Sequence, residues 1–347
     1  MCTYRPHRIR AAGYLPPDPI EERFQVLAVS CVSQSTESPL DGLCVGEVPD
    51  PEPRDGWVRV HVKACALNHH DLWSLKGVGL AADRLPMILG CDGAGTLDDG
   101  TEVVIHSVIG DPDANGGDET LDPKRTILSE LHPGTLAEQV LVPARNVVPK
   151  PTSLSWEEAA CVPVAFLTAY RMLTTRSGLD GPGKVLVQGA GGGVASAAII
   201  LAKALGHDVY CATRDEAKGE SARSIGADHV VATGERLPEK MDVVIETVGA
   251  ATWDHSLRSL RPGGRIVVSG ATSGAAPSAD LNRVFFLQLS VGGSTMGTRG
   301  ELEAMLELLA ATGARPVIDD VRPLSDARAS FEKMAAGDVF GKLVLTT

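Results

Sequence analysis

The stretch Lys184-Val185-Leu186-Val187-Gln188-Gly189-Ala190-Gly191-Gly192-Gly193-Val194-Ala195 passes from an apolar run, through clustered glycines, into residues spaced as on a helix. The run suits a strand covered on both faces of a parallel sheet. Val194, Ala198, Leu201 and Leu205 then recur at helical spacing until Gly206 ends the pattern. Glycines between the two elements let the backbone turn sharply, let an anion approach, and leave the N–H groups of a helix N-terminus facing it. The arrangement predicts a site for the pyrophosphate of a dinucleotide, with Gly189, Ala190, Gly191, Gly192, Gly193 and Val194 in contact. Read as G-x-G-x-x-G, the positions hold Ala190, Gly192 and Ala195, so the motif is degenerate and its context decides.

That context is a second strand, Asp208-Val209-Tyr210-Cys211-Ala212-Thr213. Its last residue falls about twenty positions beyond Gly192, where such a fold meets the adenosine ribose. An acidic residue there accepts the two ribose hydroxyls of NAD and repels a 2′-phosphate. Thr213-Arg214 offers instead a hydroxyl and a guanidinium that can fork onto phosphate, and Lys218 adds a second positive charge one helical turn later. NADPH is the expected cofactor. The competing reading leaves Arg214 as a solvated charge and gives the ribose to Asp215.

A length of 347 residues suits roughly two domains, and 44% hydrophobic residues can fill their cores. The net charge of −12 repels nucleic acid and anionic membrane surfaces, so neither is an expected partner. No stretch of apolar residues is long enough to span a bilayer, and the start of the chain has no apolar leader. The seven cysteines are odd in number and none lie at CxxC spacing, which fits a reducing cytoplasm.

Residues 1–23 read as a proline-containing tail. Strands are expected from Phe24 to Val29, Trp57 to Ala64, Glu102 to Val108 and Ala137 to Val142, giving a β-rich opening. The polar stretch Asp111 to Asp118 lacks the spacing of a calcium loop and reads as a solvated acidic loop. Beyond residue 166, strands at 184–188, 208–213, Asp242 to Thr247 and Arg265 to Ser269 alternate with helical patterns, which predicts a doubly wound parallel sheet of the α/β class. A last strand lies near Leu289 to Thr295. Helices follow from Glu301 to Thr312 and from Leu324 to Ala336, then the apolar Lys342-Leu343-Val344-Leu345.

Six stretches taken in order resemble the medium-chain dehydrogenase/reductase superfamily, the group of zinc alcohol dehydrogenases and zinc-free quinone oxidoreductases. They are Ala64 to Leu72 (ACALNHHDL), Gly90 to Gly95 (GCDGAG), Gly134 to Glu138 (GTLAE), the glycine turn, Asp242 to Gly249 (DVVIETVG) and Arg261 to Arg265 (RPGGR). The resemblance covers residues 24–347. It implies a GroES-like substrate domain over 24–165, a Rossmann domain over 166–296, and a return to the GroES-like domain over 297–347, with the active site in the cleft between them.

The positions matching the family's catalytic zinc ligands hold Asn68, Cys91 and Val164, and the region of its structural zinc lobe, from about Ile109 to His132, has no cysteine. Valine cannot ligate and a neutral amide is a poor zinc donor, so no zinc is expected. A replacement cluster of His69, His70 and Asp71 is the less favoured reading, because adjacent side chains diverge. Cys91 and Cys161 read most simply as small buried apolar groups.

Without a Lewis acid to hold an alkoxide, the chemistry expected is that of the zinc-free branch: hydride transfer from NADPH to a quinone or an α,β-unsaturated carbonyl, where conjugation spreads the charge. The resemblance implies that Asn68 meets the substrate oxygen, that Asp71 positions its loop or merely stabilises a turn, and that His70 or solvent supplies the proton. It places His69 at the pyrophosphate, Trp73 and Cys91 at the substrate pocket, and Thr168 near the nicotinamide. Thr247, Val248 and Gly249, with Gly270, Ala271 and Thr272, follow strands whose carboxyl ends border the cofactor crevice. Two other readings stand beside this one: an alcohol or aldehyde dehydrogenase using an unusual metal or none, and a nucleotide-binding sensor without turnover. A homodimer is expected by analogy, with the strand near Ser290 to Ser294 pairing edge to edge.

Overall fold

The computed structural model describes residues 25–347. The tail expected over residues 1–23, and Phe24 at the head of the first expected strand, lie outside the described residues. The opening half is β-rich. Gln25–Cys31 pairs antiparallel with Leu43–Pro49 and with the short Met87–Ile88. A second sheet runs Val147–Pro149, Glu102–Ile105, Asp92–Thr96, Trp57–Ala66, Lys342–Thr346 and Ile318–Pro323, and Gln139–Pro143 also pairs with Trp57–Ala66. The period-two pattern of that long strand buries Val60, Val62 and Ala64 and exposes Lys63.

The last strand of the chain lies beside one of the first. Val344 faces Ala66 and Leu345 faces Cys65 in antiparallel register, so the C-terminal segment closes the opening sheet and the intervening chain forms an insertion.

That insertion is a six-stranded sheet in the order His229–Ala232, Asp208–Thr213, Lys184–Gln188, Met241–Glu246, Leu260–Val268 and Ser290–Gly293. Every pairing is parallel. In sequence order this is 3-2-1-4-5-6, so the order reverses between Lys184–Gln188 and Met241–Glu246, and a ligand crevice opens at their carboxyl ends. The fold is thus α/β, a Rossmann doubly wound sheet inserted in a β-rich GroES-like domain.

The structure departs from the sequence reading in several places. Leu43–Pro49, Asp92–Thr96, Val147–Pro149 and Ile318–Pro323 form strands that were not expected. His229–Ala232 was not expected, because its apolar run, Val230-Val231-Ala232, is short and, as an edge strand, it is only half-buried. Glu102 to Val108 divides at His106, and Val108–Ile109 pairs instead with Thr126–Ile127. The helix expected from Leu324 begins at Ala327, after a single 3-10 turn over Leu324–Asp326.

Helix Arg299–Thr312 buries Leu302, Met305, Leu306 and Leu309 on one face, packs on helix Leu167–Leu173, and ends at Gly313 with φ +73°. Between these helices and the acidic loop lies Arg171, whose side chain is 3% exposed. Its guanidinium reaches Asp118 Oδ2 at 2.5 Å and Glu301 Oε2 at 2.7 Å. The loop expected to be solvated is exposed as far as Gly117, but its end turns inward: Asp118 meets Arg171, and the buried Glu119 accepts from Arg299 N at 2.8 Å. Arg171→Ala leaves two carboxylates facing each other without their shared cation. Removing one partner of a buried ion pair costs about 3–5 kcal/mol. A urea melt of the variant is expected to show a midpoint lower by an amount of that order with an unchanged slope; an unchanged midpoint would show that the loop is held by other contacts.

Candidate active site

At the carboxyl end of strand Lys184–Gln188 the chain turns through Gly189, whose φ of +82° suits glycine and whose N–H donates to Ala212 O at 2.8 Å. Ala190 is buried and Gly191 lies under the C-terminal loop: Gly341 N donates to Gly191 O at 3.0 Å, and a Cβ at Gly191 would stand 2.8 Å from Val339 O. Gly192 is the N-cap of helix Gly193–Ala204 and faces open space. The turn therefore leaves the first N–H groups of a twelve-residue helix, from Gly193 and Val194 onward, with room for an anion, and the residues present fit a dinucleotide pyrophosphate.

Beyond strand Asp208–Thr213, Thr213 is half-buried and Arg214 is exposed. Asp215 caps the next helix, its Oδ1 accepting from Lys218 N at 3.0 Å. Lys218 folds back over the glycine turn, its Nζ 3.1 Å from Gly337 O and within reach of the Gly191 position.

The other expected cofactor loops lie against each other. A Cβ on Gly249 would stand 2.5 Å from Gly274 O and 2.9 Å from Ala271 Cα, one on Gly270 would stand 2.9 Å from Thr247 O, and Ser273 N donates to Val248 O at 2.8 Å. Thr272 is exposed beside them. Beneath this contact sits Glu246, fully buried, which accepts from Val248 N at 2.8 Å, Gly249 N at 3.0 Å, Thr252 Oγ1 at 2.9 Å and Ser256 Oγ at 2.6 Å. A carboxylate with this many donors makes the turn at Thr247–Gly249 rigid. Thr168 is buried on helix Leu167–Leu173.

On the substrate side, Asn68 caps the short helix His69–Leu75 in a capping box with Asp71. Asp71 is fully buried, and its two oxygens accept from Asn68 N at 2.8 Å and Gly90 N at 2.9 Å. Burial pushes its carboxyl up to about 7, against the opposing pull of these N–H groups and of Lys342. Asp71 thus ties two loops together, with each carboxylate oxygen engaged by a backbone N–H. His69 is exposed, and Lys342 and Lys76 make the field around it positive.

Next to this helix lies a cation that sequence reasoning missed. Lys342 Nζ, on a side chain 3% exposed, donates to Leu67 O at 2.6 Å, Asn68 Oδ1 at 2.8 Å and Asp92 Oδ2 at 2.8 Å. Three acceptors match the three hydrogens of an ammonium. Asp92, fully buried, also accepts from Asn68 Nδ2 at 2.9 Å and, on its other oxygen, from Val164 N at 2.8 Å. Val164 presents that N–H from a π-helical turn, Val162–Phe166, a distortion that recurs at functional sites. Burial raises the Asp92 carboxyl above its usual range while Lys342 opposes it.

These residues do not fit zinc. Of the three family ligand positions, Val164 offers only a backbone N–H, Asn68 is engaged with Lys342 and Asp92, and Cys91 donates its thiol to Leu128 O at 3.1 Å. Cys91 is 1% exposed and burial holds its thiol well above the ordinary range, the opposite of what a thiolate ligand needs. Among the described residues no group of three or more His, Cys, Asp or Glu side chains is placed to hold a metal ion.

His70 turns toward the loop at Leu128–His132, where its Nε2 lies 3.9 Å from Glu130 Oε1. Trp73 is 37% exposed on the same helix. At and beyond the end of that helix, Leu75 and Leu80 are buried and Val78 is exposed. The sequence carried one signal for Lys342, a lone charge opening an apolar strand. Asp92 and Glu246 lay inside recognised motifs without a role, and Glu130 carried no signal.

A family model described as an alcohol dehydrogenase GroES-like domain matches residues 54–152, and one described as a zinc-binding dehydrogenase matches residues 193–311. The chain is 33% identical over 326 residues to an acryloyl-coenzyme A reductase of Metallosphaera sedula, a match covering 88% of this chain and 97% of that protein. It is 31% identical over 326 residues to an alcohol dehydrogenase of Geobacillus stearothermophilus, covering 87% and 96%. A solved NAD-dependent alcohol dehydrogenase superposes with a TM-score of 0.85 at 34% identity, covering 92% of this chain and 99% of that one. With its parallel sheet inserted into a GroES-like fold, the chain belongs to the medium-chain dehydrogenase/reductase superfamily of oxidoreductases.

Proposed function

We propose that this oxidoreductase uses NADPH to reduce a carbon–carbon double bond conjugated to a carbonyl, without a catalytic metal. The observation that carries the reading is the Lys342 ammonium, bound to Asn68 Oδ1, at one of the family's zinc-ligand positions, and to Asp92 Oδ2, next to another at Cys91. Oxidising an alcohol calls for a centre that stabilises an alkoxide, whereas a conjugated acceptor spreads its charge and is served by hydrogen bonds. The relative named acryloyl-coenzyme A reductase favours an enoyl thioester or a simple enone over the quinone that the sequence left equally open.

When bound, the reduced nicotinamide supplies a hydride. The residues around it bind and orient. The helix at Gly193 and the exposed His69 receive the pyrophosphate, and the Thr247–Gly249 turn held by Glu246 borders the crevice. Asn68 has a second Nδ2 hydrogen with no acceptor among the described residues, which suits a substrate carbonyl oxygen. Trp73 offers a wall for a flat acceptor, and His70 lies near enough on the same helix to carry a proton. NADPH is favoured over NADH because Asp215 spends one carboxylate oxygen on its helix cap, while Arg214 stands exposed at the strand end.

Purified enzyme is expected to consume NADPH with enoyl thioesters or enones at a rate unchanged by a chelator. Chelator-sensitive alcohol oxidation with stoichiometric zinc would instead support the alcohol dehydrogenase reading, and binding without turnover the sensor reading. Arg214→Ala is expected to weaken NADPH by about 1–3 kcal/mol in a fluorescence titration, the worth of a hydrogen bond to a charged group, and to leave NADH nearly unchanged. Equal losses for the two nucleotides would remove Arg214 from the 2′-phosphate.

The homodimer is also proposed. Strand Ser290–Gly293 is the last in its sheet, with Arg176 capping its outer edge at Gly293 O and Val291 50% exposed. Beside it, Leu281, Phe285 and Phe286 of helix Leu281–Phe286 are 70%, 68% and 80% exposed. A second copy pairing along that edge covers both. Light scattering is expected to give the mass of two chains, and Phe286→Glu to shift it toward one; a wild-type monomer at micromolar concentration would rule the dimer out.

A further inference from the structure

The loop Leu128–His132 brings a carboxylate to the imidazole of His70, on the helix capped by Asn68, and the reading of function above does not use it. Glu130 Oε1 lies 3.9 Å from His70 Nε2, with the two side chains 29% and 17% exposed. That nitrogen is buried and has no hydrogen-bond partner among the described residues. A buried polar atom left unpaired is costly, and at an active site it marks a group whose partner arrives with substrate, water or a small shift of the loop.

The surrounding backbone is built to bring the pair together. Ser129 holds φ +70°, a strained conformation for a residue with a Cβ, and is fixed there by its N–H donating to His132 O at 2.8 Å. Gly79, with φ +85°, lies against both groups: a Cβ there would stand 3.0 Å from Glu130 Oε1 and 3.3 Å from His70 Cε1. Any larger residue at 79 would push into the gap between them.

We infer that Glu130 and His70 share one proton and deliver it to the α carbon of the acceptor, with Glu130 as the positioning and proton-loading partner of His70. This rests on the proposed reduction of a conjugated carbonyl. Hydride addition at the β carbon sends the alkene electron pair toward the carbonyl oxygen and leaves an enolate. The imidazole N–H bond then breaks as the C–H bond at the α carbon forms. Glu130 passes its proton to the imidazole, and solvent reprotonates Glu130, which is the more exposed of the two.

The charges around the pair come from four elements. Glu130 faces Arg125, just before its own loop, and its N–H donates to Ile127 O at 3.3 Å; Cys91, from the loop after Gly90, feels Glu130, Asp71 and Asp92; Lys76, at the end of the His69–Leu75 helix, and Lys342, on the C-terminal strand, act on the neighbouring His69. Burial moves the carboxyl up and the imidazole down, while the negative charge of Glu130 pulls the imidazole back up. The two groups are thereby brought toward each other in proton affinity, as proton transfer between them requires.

The test has one reading that needs no turnover. In a 15N-histidine NMR titration of the whole protein, Glu130→Gln removes the charge that holds a proton on His70, so the His70 resonance is expected to titrate lower by about half a unit to one unit, and Glu130→Asp to restore part of the shift. In the kinetic arm, Glu130→Gln is expected to lower kcat by about tenfold to a hundredfold with KM little changed, since general acid catalysis is worth about a hundredfold or more. It should also flatten the fall of kcat at alkaline pH and randomise the stereochemistry of deuterium at the α carbon in D2O, with Glu130→Asp again in between. An unmoved His70 titration, or a Glu130→Gln enzyme with wild-type kcat, pH profile and stereochemistry, overturns the pair. A wild-type enzyme inactive on every conjugated acceptor overturns the proposed reaction, and the delivery step with it, even if the titration moves.

Discussion

The Lys342–Asp92 contact is the point from which the geometry of the site is set. A buried ion pair is poor at stabilising a fold, because desolvating both charges offsets much of their attraction, but it is demanding about where each group sits. Here every hydrogen of the ammonium has an acceptor, and Asp92 is further engaged by Asn68 and Val164. The pair therefore fixes the loop before the His69–Leu75 helix, the GCDGAG strand, the π-helical turn and the C-terminal strand relative to one another. These segments are scattered across the whole chain and meet at one charge.

The same lysine reaches the cofactor side. Its stem runs against the first residue of the pyrophosphate helix, where a Cβ on Gly193 would stand 3.0 Å from Lys342 Cδ. Glycine at 193 thus leaves room for the lysine stem as well as for the anion proposed at the helix N-terminus. Glu246 plays the matching part at the neighbouring strand end, where its hydrogen bonds hold the turn at Thr247–Gly249 in place.

Local signals made the fold legible. The glycine turn, the even alternation of strand and helix beyond residue 166 and the period-two pattern of Trp57–Ala66 depend on neighbours in sequence, and each was readable. The half-buried edge strand His229–Ala232 was not, since its apolar run is short. The site divides in the same way. Asn68, His69, His70 and Asp71 lie in one motif, but the short helix that Asn68 caps was not expected from it. Lys342 and Asp92 are 250 residues apart, and Glu130 meets His70 only because a strained loop folds back; no local pattern encodes either contact.

A buried ammonium also has a consequence for how such a chain changes over evolutionary time. Losing either partner alone leaves the other charge buried without compensation, at a cost of about 3–5 kcal/mol. Lys342 and Asp92, 250 residues apart, are therefore expected to vary together between related chains, both kept as an ion pair or both replaced.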